Sequence, residues 1–354
     1  MDPAMLIASF ASDTIYGRFC HDLVRTIVAA ARPDVLAIEA ETVRDMADQV
    51  AGRRVPGILV LSCRPESDLL QIAGRLQGRA ILFDEYAEDL AGNFLRQKRF
   101  TWPVALQHTC AFLCTTAPVR KSGSTQTVLR RPGLTLRMLL ATILQVLEMP
   151  MEPARLVEAA ARIDIRLPQD LDRELDEVLV ARDPTITPAG LGIQELTMDA
   201  VEMMRNIYEP IVTLINGGEA RPILWPVEIF FSQTEKKAVS GVRPEPQTML
   251  GPARFLYFGP YLCLPAGRWQ AMAEFEVKNN LSKNRVEIDI SRNNETISFS
   301  LVDLPEEGFF TAVTDFFNDR GELPIEMRIF LKEGAIEGHF ELKKVMLTPI
   351  SEGA

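Results

Sequence analysis

Residues able to do chemistry are few in this chain and fall in a handful of places. Near the amino terminus, Ala8-Ser-Phe-Ala-Ser-Asp-Thr-Ile-Tyr16 leaves an apolar strand and runs straight into a helical pattern. A strand–loop–helix can hold an anion, because the first amides of the helix lack intrahelical partners and point outward. Ser12 and Thr14 would add hydroxyls to such a cradle, whereas Asp13 places a carboxylate inside it, which opposes an anion. His21 falls in the first helix beside Asp22, and His108 within the apolar segment Val104 to Cys114. Neither is accompanied by a G-x-S-x-G elbow, so packed or solvated histidines are expected instead of a catalytic base. Glu39 and Glu41 follow the second strand, where α/β enzymes place ribose-binding or acid/base carboxylates, but no glycine fingerprint precedes them.

Cysteine and charge narrow the options further. Cys110 and Cys114 share one face if their segment is helical. No CxxC or HxxxH supplies two further ligands, so free buried thiols in a reducing compartment are expected, without a metal site. No cofactor is called for. Lys121-Ser-Gly-Ser-Thr125 looks like a phosphate loop in its letters, but β-branched Thr127-Val-Leu-Arg-Arg-Pro132 follows, and a flexible basic loop is expected. Thirty-eight Lys+Arg against 48 Asp+Glu leave a net charge of −10, which argues against nucleic acid or anionic membrane as a partner. The opening MDPAMLIASF has no basic region before a signal-length apolar stretch, and no apolar run reaches about 18 residues. A cytoplasmic protein without an integral membrane segment is expected. Met5 is an alternative natural start, with Met1 to Ala4 then not native.

The elements that must position these residues divide the chain into an α/β part and an all-β part. Leu6 to Phe10, Val35 to Ile38, Gly57 to Ser62 and Arg79 to Phe83 are apolar strand candidates alternating with helical patterns. That alternation predicts a parallel sheet covered on both faces. Trp102 to Cys114, Leu134 to Leu147 and Pro153 to Arg162 read as a helical extension, closing a domain over 1–165. A helical connector and linker follow over 166–246, ending in the proline-punctuated Val242-Arg-Pro-Glu-Pro246. From 247 to 350 the period switches to two. Trp269, Ala271, Ala273, Phe275 and Val277 alternate with polar residues, as do Val286, Ile288 and Ile290, and Ile325, Met327, Ile329 and Leu331. Ile297, Phe299 and Leu301 alternate with serines and are expected to face the core too. Each strand then has one core face and one wet face, the pattern of an antiparallel β-sandwich. Lys343-Lys344 breaks the alternation, which predicts a bulge.

Two resemblances attach to these strings. The first loop resembles that of sulfotransferases, Lys-Ser-Gly-Thr-Thr followed by an aromatic: Ser12, Thr14 and Tyr16 match, while Ala11 and Asp13 replace the lysine and the glycine. Leu82-Phe-Asp-Glu-Tyr-Ala-Glu-Asp-Leu-Ala91 keeps acidic positions of a second segment of that family without its arginines and serine. The likeness covers residues 5 to 165 and implies a degenerate sulfotransferase-like domain whose loop Ser12-Asp13-Thr14 is a remnant. The second string, Tyr257-Phe-Gly-Pro-Tyr-Leu-Cys-Leu-Pro-Ala-Gly-Arg-Trp269, resembles the opening of β-sandwich modules beside bacterial glycosyltransferases. Gly259, Tyr261, Leu264, Pro265, Gly267 and Arg268 match G-x-Y-x-x-L-P-x-G-R-Y, with Trp269 for the last tyrosine. Such modules look like carbohydrate-binding domains, which makes Tyr261, Asn293 and Asn294 the glycan-binding candidates, with Trp269 assigned to the core. The implied function is a non-catalytic accessory protein of bacterial cell-surface polysaccharide production, binding glycan or a polysaccharide-synthesis protein. An active sulfo- or glycosyltransferase and a purely structural homo-oligomer are the alternatives.

Overall fold

The computed structural model describes residues 5–75, 79–122, 125–149, 151–184, 186, 188, 196–232 and 242–350, with the side chains of 97 and 98 excepted. The chain forms two compact units: Met1–Arg99 with Thr115–Gln194, and Phe100–Cys114 with Glu195–Ala354.

The first unit runs β1 (Met5–Ala11), α1 (Ile15–Ala31), β2 (Val35–Glu39), α2 (Val43–Val50), β3 (Gly57–Ser62), α3 (Ser67–Ala73), β4 (Ala80–Asp84) and α4 (Ala87–Lys98). After it come α5 (Trp102–Lys121), whose first part belongs to the second unit, then β5 (Thr125–Leu129), α6 (Leu136–Leu147), α7 (Pro153–Ala161) and α8 (Leu175–Arg182). All five strands are parallel, in the order β2-β3-β1-β4-β5. The expected parallel sheet is therefore present, with one strand more than the four read from the sequence. β5 begins at Thr125, at the end of the presumed flexible loop; Gly123 and Ser124 lie outside the described residues. The β-branched run there makes an edge strand, which suits Thr and Val.

The helix α1 explains how the first loop is held. Thr14 caps it, accepting from the Gly17 amide at 3.1 Å, and Phe19, Leu23, Val24, Ile27 and Val28 recur on its buried face. Its first turn lies so close to the loop that a Cβ on Gly17 would meet the Ser12 carbonyl at 2.0 Å, so only glycine fits there. That face packs with Ile7, Leu59, Leu61, Ile81 and Phe83 of the sheet and with α6, α7 and α8 in one core.

The second unit holds α9 (Met198–Ile215), β6 (Ile223–Trp225), β7 (Gln247–Thr248), β8 (Arg254–Cys263), β9 (Gly267–Lys278), β10 (Arg285–Arg292), β11 (Glu295–Asp303), β12 (Gly308–Asn318), β13 (Pro324–Leu331) and β14 (His339–Ile350). Two antiparallel sheets result, β11-β10-β13-β8 and β12-β9-β14-β6, with β7 also on β14. The chain is thus α/β followed by a β-sandwich. Trp269, Ala271, Ala273, Phe275 and Val277 are buried, as are Val286, Ile288, Ile290 and the alternating set of β13. The expected bulge falls between Leu342 and Lys344, after which Val345 and Leu347 return to the core.

One strand is inverted relative to its expected phase. Phe299 and Leu301 are 64% and 51% exposed, whereas the serines of β11 face inward. Ser300 Oγ lies 2.9 Å from Thr314 Oγ1, and Ser298 donates to the Asp315 carbonyl at 2.7 Å, both on β12. These hydroxyls join the margins of the two sheets, and the apolar side chains turn out.

Candidate functional site

In the first unit, β1 and β4 are neighbours and their carboxyl ends bring two loops together. Ser12 and Thr14 stand after β1, and Asp84-Glu85 ends β4. Ser12 Oγ and Thr14 Oγ1 donate to one oxygen of Glu85, Oε1, at 2.8 and 2.6 Å. The other, Oε2, accepts from Asn93 Nδ2 at 2.9 Å and from the Arg130 guanidinium at 3.1 Å. Four donors thus satisfy a carboxylate that is almost wholly buried. Arg130, equally buried, also donates from Nε to Asp176 Oδ1 at 2.9 Å. Beside it Arg120 grips Asp84 through both carboxylate oxygens; burial raises the Asp84 carboxyl above its usual range while Arg120 pulls it back. The hydroxyls of the expected anion loop are therefore engaged by an anion of the chain itself. Asp13 turns elsewhere, 3.8 Å from Arg18 and 3.9 Å from Arg64.

Asp13 also borders a cavity of about 650 Å³ at the carboxyl ends of β1, β2 and β3. The charged residues of its wall are mostly acidic, including Glu39 and Glu41 of the sequence expectation, with Arg18 and Arg25 the cations; Arg25 pairs with Glu39. His21 and Cys63 line it as well, with Cys63 Sγ 3.7 Å from His21 Nδ1. Burial lowers the imidazole to about 4 and, with Asp13 and Glu39 near, pushes the thiol up to about 11. At neutral pH both are uncharged, so the pair is neither a thiolate nucleophile nor a charged acid/base couple. Among the described residues no group of three His, Cys, Asp or Glu is placed to hold a metal ion. His108, in the second unit, is packed, stacked on Phe100 at 4.8 Å.

The second unit offers a different kind of surface on the outside of the sheet β11-β10-β13-β8. Near its carboxyl end β8 carries an irregularity opposite Ile325 and Glu326, where Gly259 (φ 119°) and Tyr261 (φ 62°) both adopt the left-handed region. Such a bulge re-aims a side chain. Tyr261 comes out 37% exposed, beside Phe231 and the Glu326 carboxylate; burial, with Glu326 next to it, holds the phenol above its usual range. Register places Arg328 between Asp289 and Phe258, and Phe330 between Glu287 and Phe255. Arg328 is bidentate to Asp289 at 2.7 and 3.0 Å, reaches Thr296 at 3.1 Å, and lies 5.5 Å over the Phe255 ring. The result is a half-exposed row of rings interleaved with fixed hydrogen-bonding groups.

Asn293 and Asn294 form the β10–β11 hairpin tip, both exposed and both at positive φ (49° and 66°), as a primed two-residue turn requires. Arg292 pairs with Ile325, and Ile325 with Leu262, so the tip and Tyr261 stand at the same end of one sheet, two strands apart. The sequence brought out both but missed Arg328, Asp289 and Glu326. Their signal was polar residues at the wet positions of strands otherwise apolar, which alone does not separate a solvated face from a working one. In the first unit Glu85 and Arg130 were missed because their partners, Asn93 apart, lie 45 to 73 residues away.

No helix of the described residues is long and apolar enough to cross a membrane. No family model matches the chain, and no curated protein does. Among solved structures, the chain is similar over 38% of its length to 99% of a xylan-binding module CBM15, at 12% identity and a TM-score of 0.27. It is similar over 37% to 99% of the CBM36-1 domain of a multidomain xylanase from the hindgut metagenome of Trinervitermes trinervoides, at 8% identity and 0.25. It also matches a Stig cyclase, Fisc, from Fischerella sp. TAU over 28% of this chain, at 11% identity and 0.22, spanning 56% of that protein's length. No sulfotransferase is among these three.

Proposed function

We propose that the protein is a non-catalytic glycan-binding accessory of bacterial cell-surface polysaccharide production, acting in the cytoplasm and recognising saccharide through its C-terminal sandwich. The observation that supports this is the outer face around Tyr261. Aromatic rings present flat apolar surfaces to the C–H faces of a sugar. Arg328 held by Asp289, with Glu326 and Thr296 near, supplies donors and acceptors fixed in advance, which lowers the ordering cost of binding hydroxyls. The first unit favours a non-catalytic role: its loop hydroxyls bind Glu85, and the Cys63–His21 pair is neutral at pH 7.

Affinity electrophoresis of the full chain through gels containing neutral or acidic bacterial exopolysaccharides tests the proposal. Retardation by at least one of them is expected, and Tyr261→Ala should weaken it about tenfold, the equivalent of a ring-stacking contact of about 1.4 kcal/mol. The melting temperature should stay unchanged, since Tyr261 is 37% exposed. Migration unaffected by every polysaccharide would remove glycan recognition as the function.

A further inference from the structure

The cavity bordered by Asp13 in the first unit lies where the sheet is built to open. β1 and β3 are neighbours in the order β2-β3-β1-β4-β5, yet the chain leaves β1 towards β2 on one side and leaves β3 towards β4 on the other. Such a reversal parts the two connections beyond the carboxyl ends of the strands, and open α/β sheets receive ligands in the crevice that results. The loops after β1 and β3 border it through Asp13, Ser62 and Cys63, and its volume of about 650 Å³ is that of a small-molecule site.

Two residues of its wall carry an orphaned polar atom. Ser62 is 3% and His21 6% exposed, and neither Ser62 Oγ nor His21 Nε2 has a hydrogen-bond partner. Buried polar atoms are nearly always satisfied, so two orphans lining one cavity are groups that a ligand would complete. A serine hydroxyl accepts as well as donates, and an imidazole that is neutral at pH 7 keeps a lone pair on one nitrogen. Both can therefore receive N–H donors.

The charges of the wall select a cation as the donor. Asp13, Asp22, Glu39, Glu41, Asp45 and Asp48 line the cavity against two arginines, six carboxylates to two cations and so four negative charges in excess. Both arginines are engaged, Arg18 with Asp13 at 3.8 Å and Arg25 with Asp22 at 3.9 Å and with Glu39, which leaves little for an anion. Arg44 and Arg64 reach Asp48 and Asp13 from outside the wall only at 3.9 Å. A cleft of one dominant sign concentrates ions of the other. The carboxylates are spread over the first loop, α1, the end of β2 and α2, and among the described residues no three are placed round one metal ion. Separated ammonium groups on a flexible chain match that spread, since each has three donors and no acceptor.

We propose that this cavity binds an aliphatic polyamine, whose ammonium groups donate to Ser62, His21 and the surrounding carboxylates. The inference is independent of glycan recognition by the sandwich.

Calorimetric titration of the full chain with spermidine tests it at about 0.15 M salt, where diffuse attraction is screened beyond about 8 Å. One equivalent should bind with a dissociation constant below about 1 mM, and butylamine, with its single ammonium, at least about tenfold more weakly. Glu41→Gln combined with Asp48→Asn, both exposed positions, should weaken spermidine binding at least about tenfold without lowering the melting temperature of the free protein. Glu306→Gln combined with Glu307→Gln removes the same charge from the second unit and should leave binding as it is. Cys63 lines the cavity and is the one cysteine that is not buried, so saturating spermidine should slow its alkylation by N-ethylmaleimide. No binding at millimolar spermidine, butylamine binding as tightly, equal loss in both double variants, or alkylation at an unchanged rate would overturn the proposal. Should the Glu41 and Asp48 double variant fail to fold, the alkylation rate decides.

Discussion

Replacing Glu85 by alanine should destabilise the first unit severely, and in a way that a small anion can partly repair. The substitution removes the acceptor of four hydrogen bonds at once: Ser12 Oγ, Thr14 Oγ1, Asn93 Nδ2 and the Arg130 guanidinium. Arg130 is 1% exposed and loses its ion pair with Glu85 while keeping its bond to Asp176. Breaking a buried pair by deleting one partner costs about 3–5 kcal/mol, because the remaining charge stays desolvated. For a unit of this size each kcal/mol shifts the melting temperature by about 2–4 °C, so a fall of roughly 10 °C is expected. Differential scanning calorimetry of the full chain reads it, and the transition that moves should be the one lost first on heating. Glu85→Gln should cost nearly as much, since the amide presents a donor where the carboxylate accepts. The diagnostic step is rescue: acetate or formate should raise the melting temperature of Glu85→Ala and leave the wild-type value alone. A melting temperature within a degree or so of wild type, or rescue equal in both proteins, would refute the idea that an internal carboxylate occupies this cradle.

His21 gives the chain a pH dependence of defined sign. Burial lowers its imidazole from 6.5 to about 4, so between those values the unfolded chain binds more protons than the folded one. The stability that comes from keeping it neutral is complete above about pH 6.5 and lost as pH falls towards 4, about 2 kcal/mol between about pH 7 and about pH 5. Urea titrations of wild type and His21→Gln at both pH values should differ in slope by that amount; equal losses would refute it. Trp269 is 1% exposed and donates from Nε1 to the Pro265 carbonyl at 3.1 Å. Trp269→Ala should cost about 3–5 kcal/mol by chemical denaturation, and an unchanged midpoint would show that the strand's inner face is misassigned.

What the sequence made legible was period, and what it left open was phase and partner. Apolar runs between helical patterns suffice for a buried parallel sheet, and a two-residue period suffices for a sandwich, because burial on one or two faces imposes these patterns on every strand. Period does not say which set of β11 turns inward. There, Ser298 and Ser300 win the inner positions because β12 offers them a carbonyl and a hydroxyl, and Phe299 and Leu301 are left outside. The lysine doublet of β14 was readable because a bulge interrupts the period itself. β5 was obscured by a Lys-Ser-Gly-Ser-Thr string whose letters suggest a loop, although its following residues favour a strand. The first loop makes the same point chemically. The absence of a lysine and a glycine around Ser12 and Thr14 is visible in ten letters, but the group that takes up their hydroxyls is Glu85, more than seventy residues on. A hydroxyl pair in a sequence states only that something must accept from it. Whether the acceptor is a ligand or the chain itself is decided by which strand the sheet sets alongside, and β4 beside β1 delivers a carboxylate to that spot before any external anion arrives.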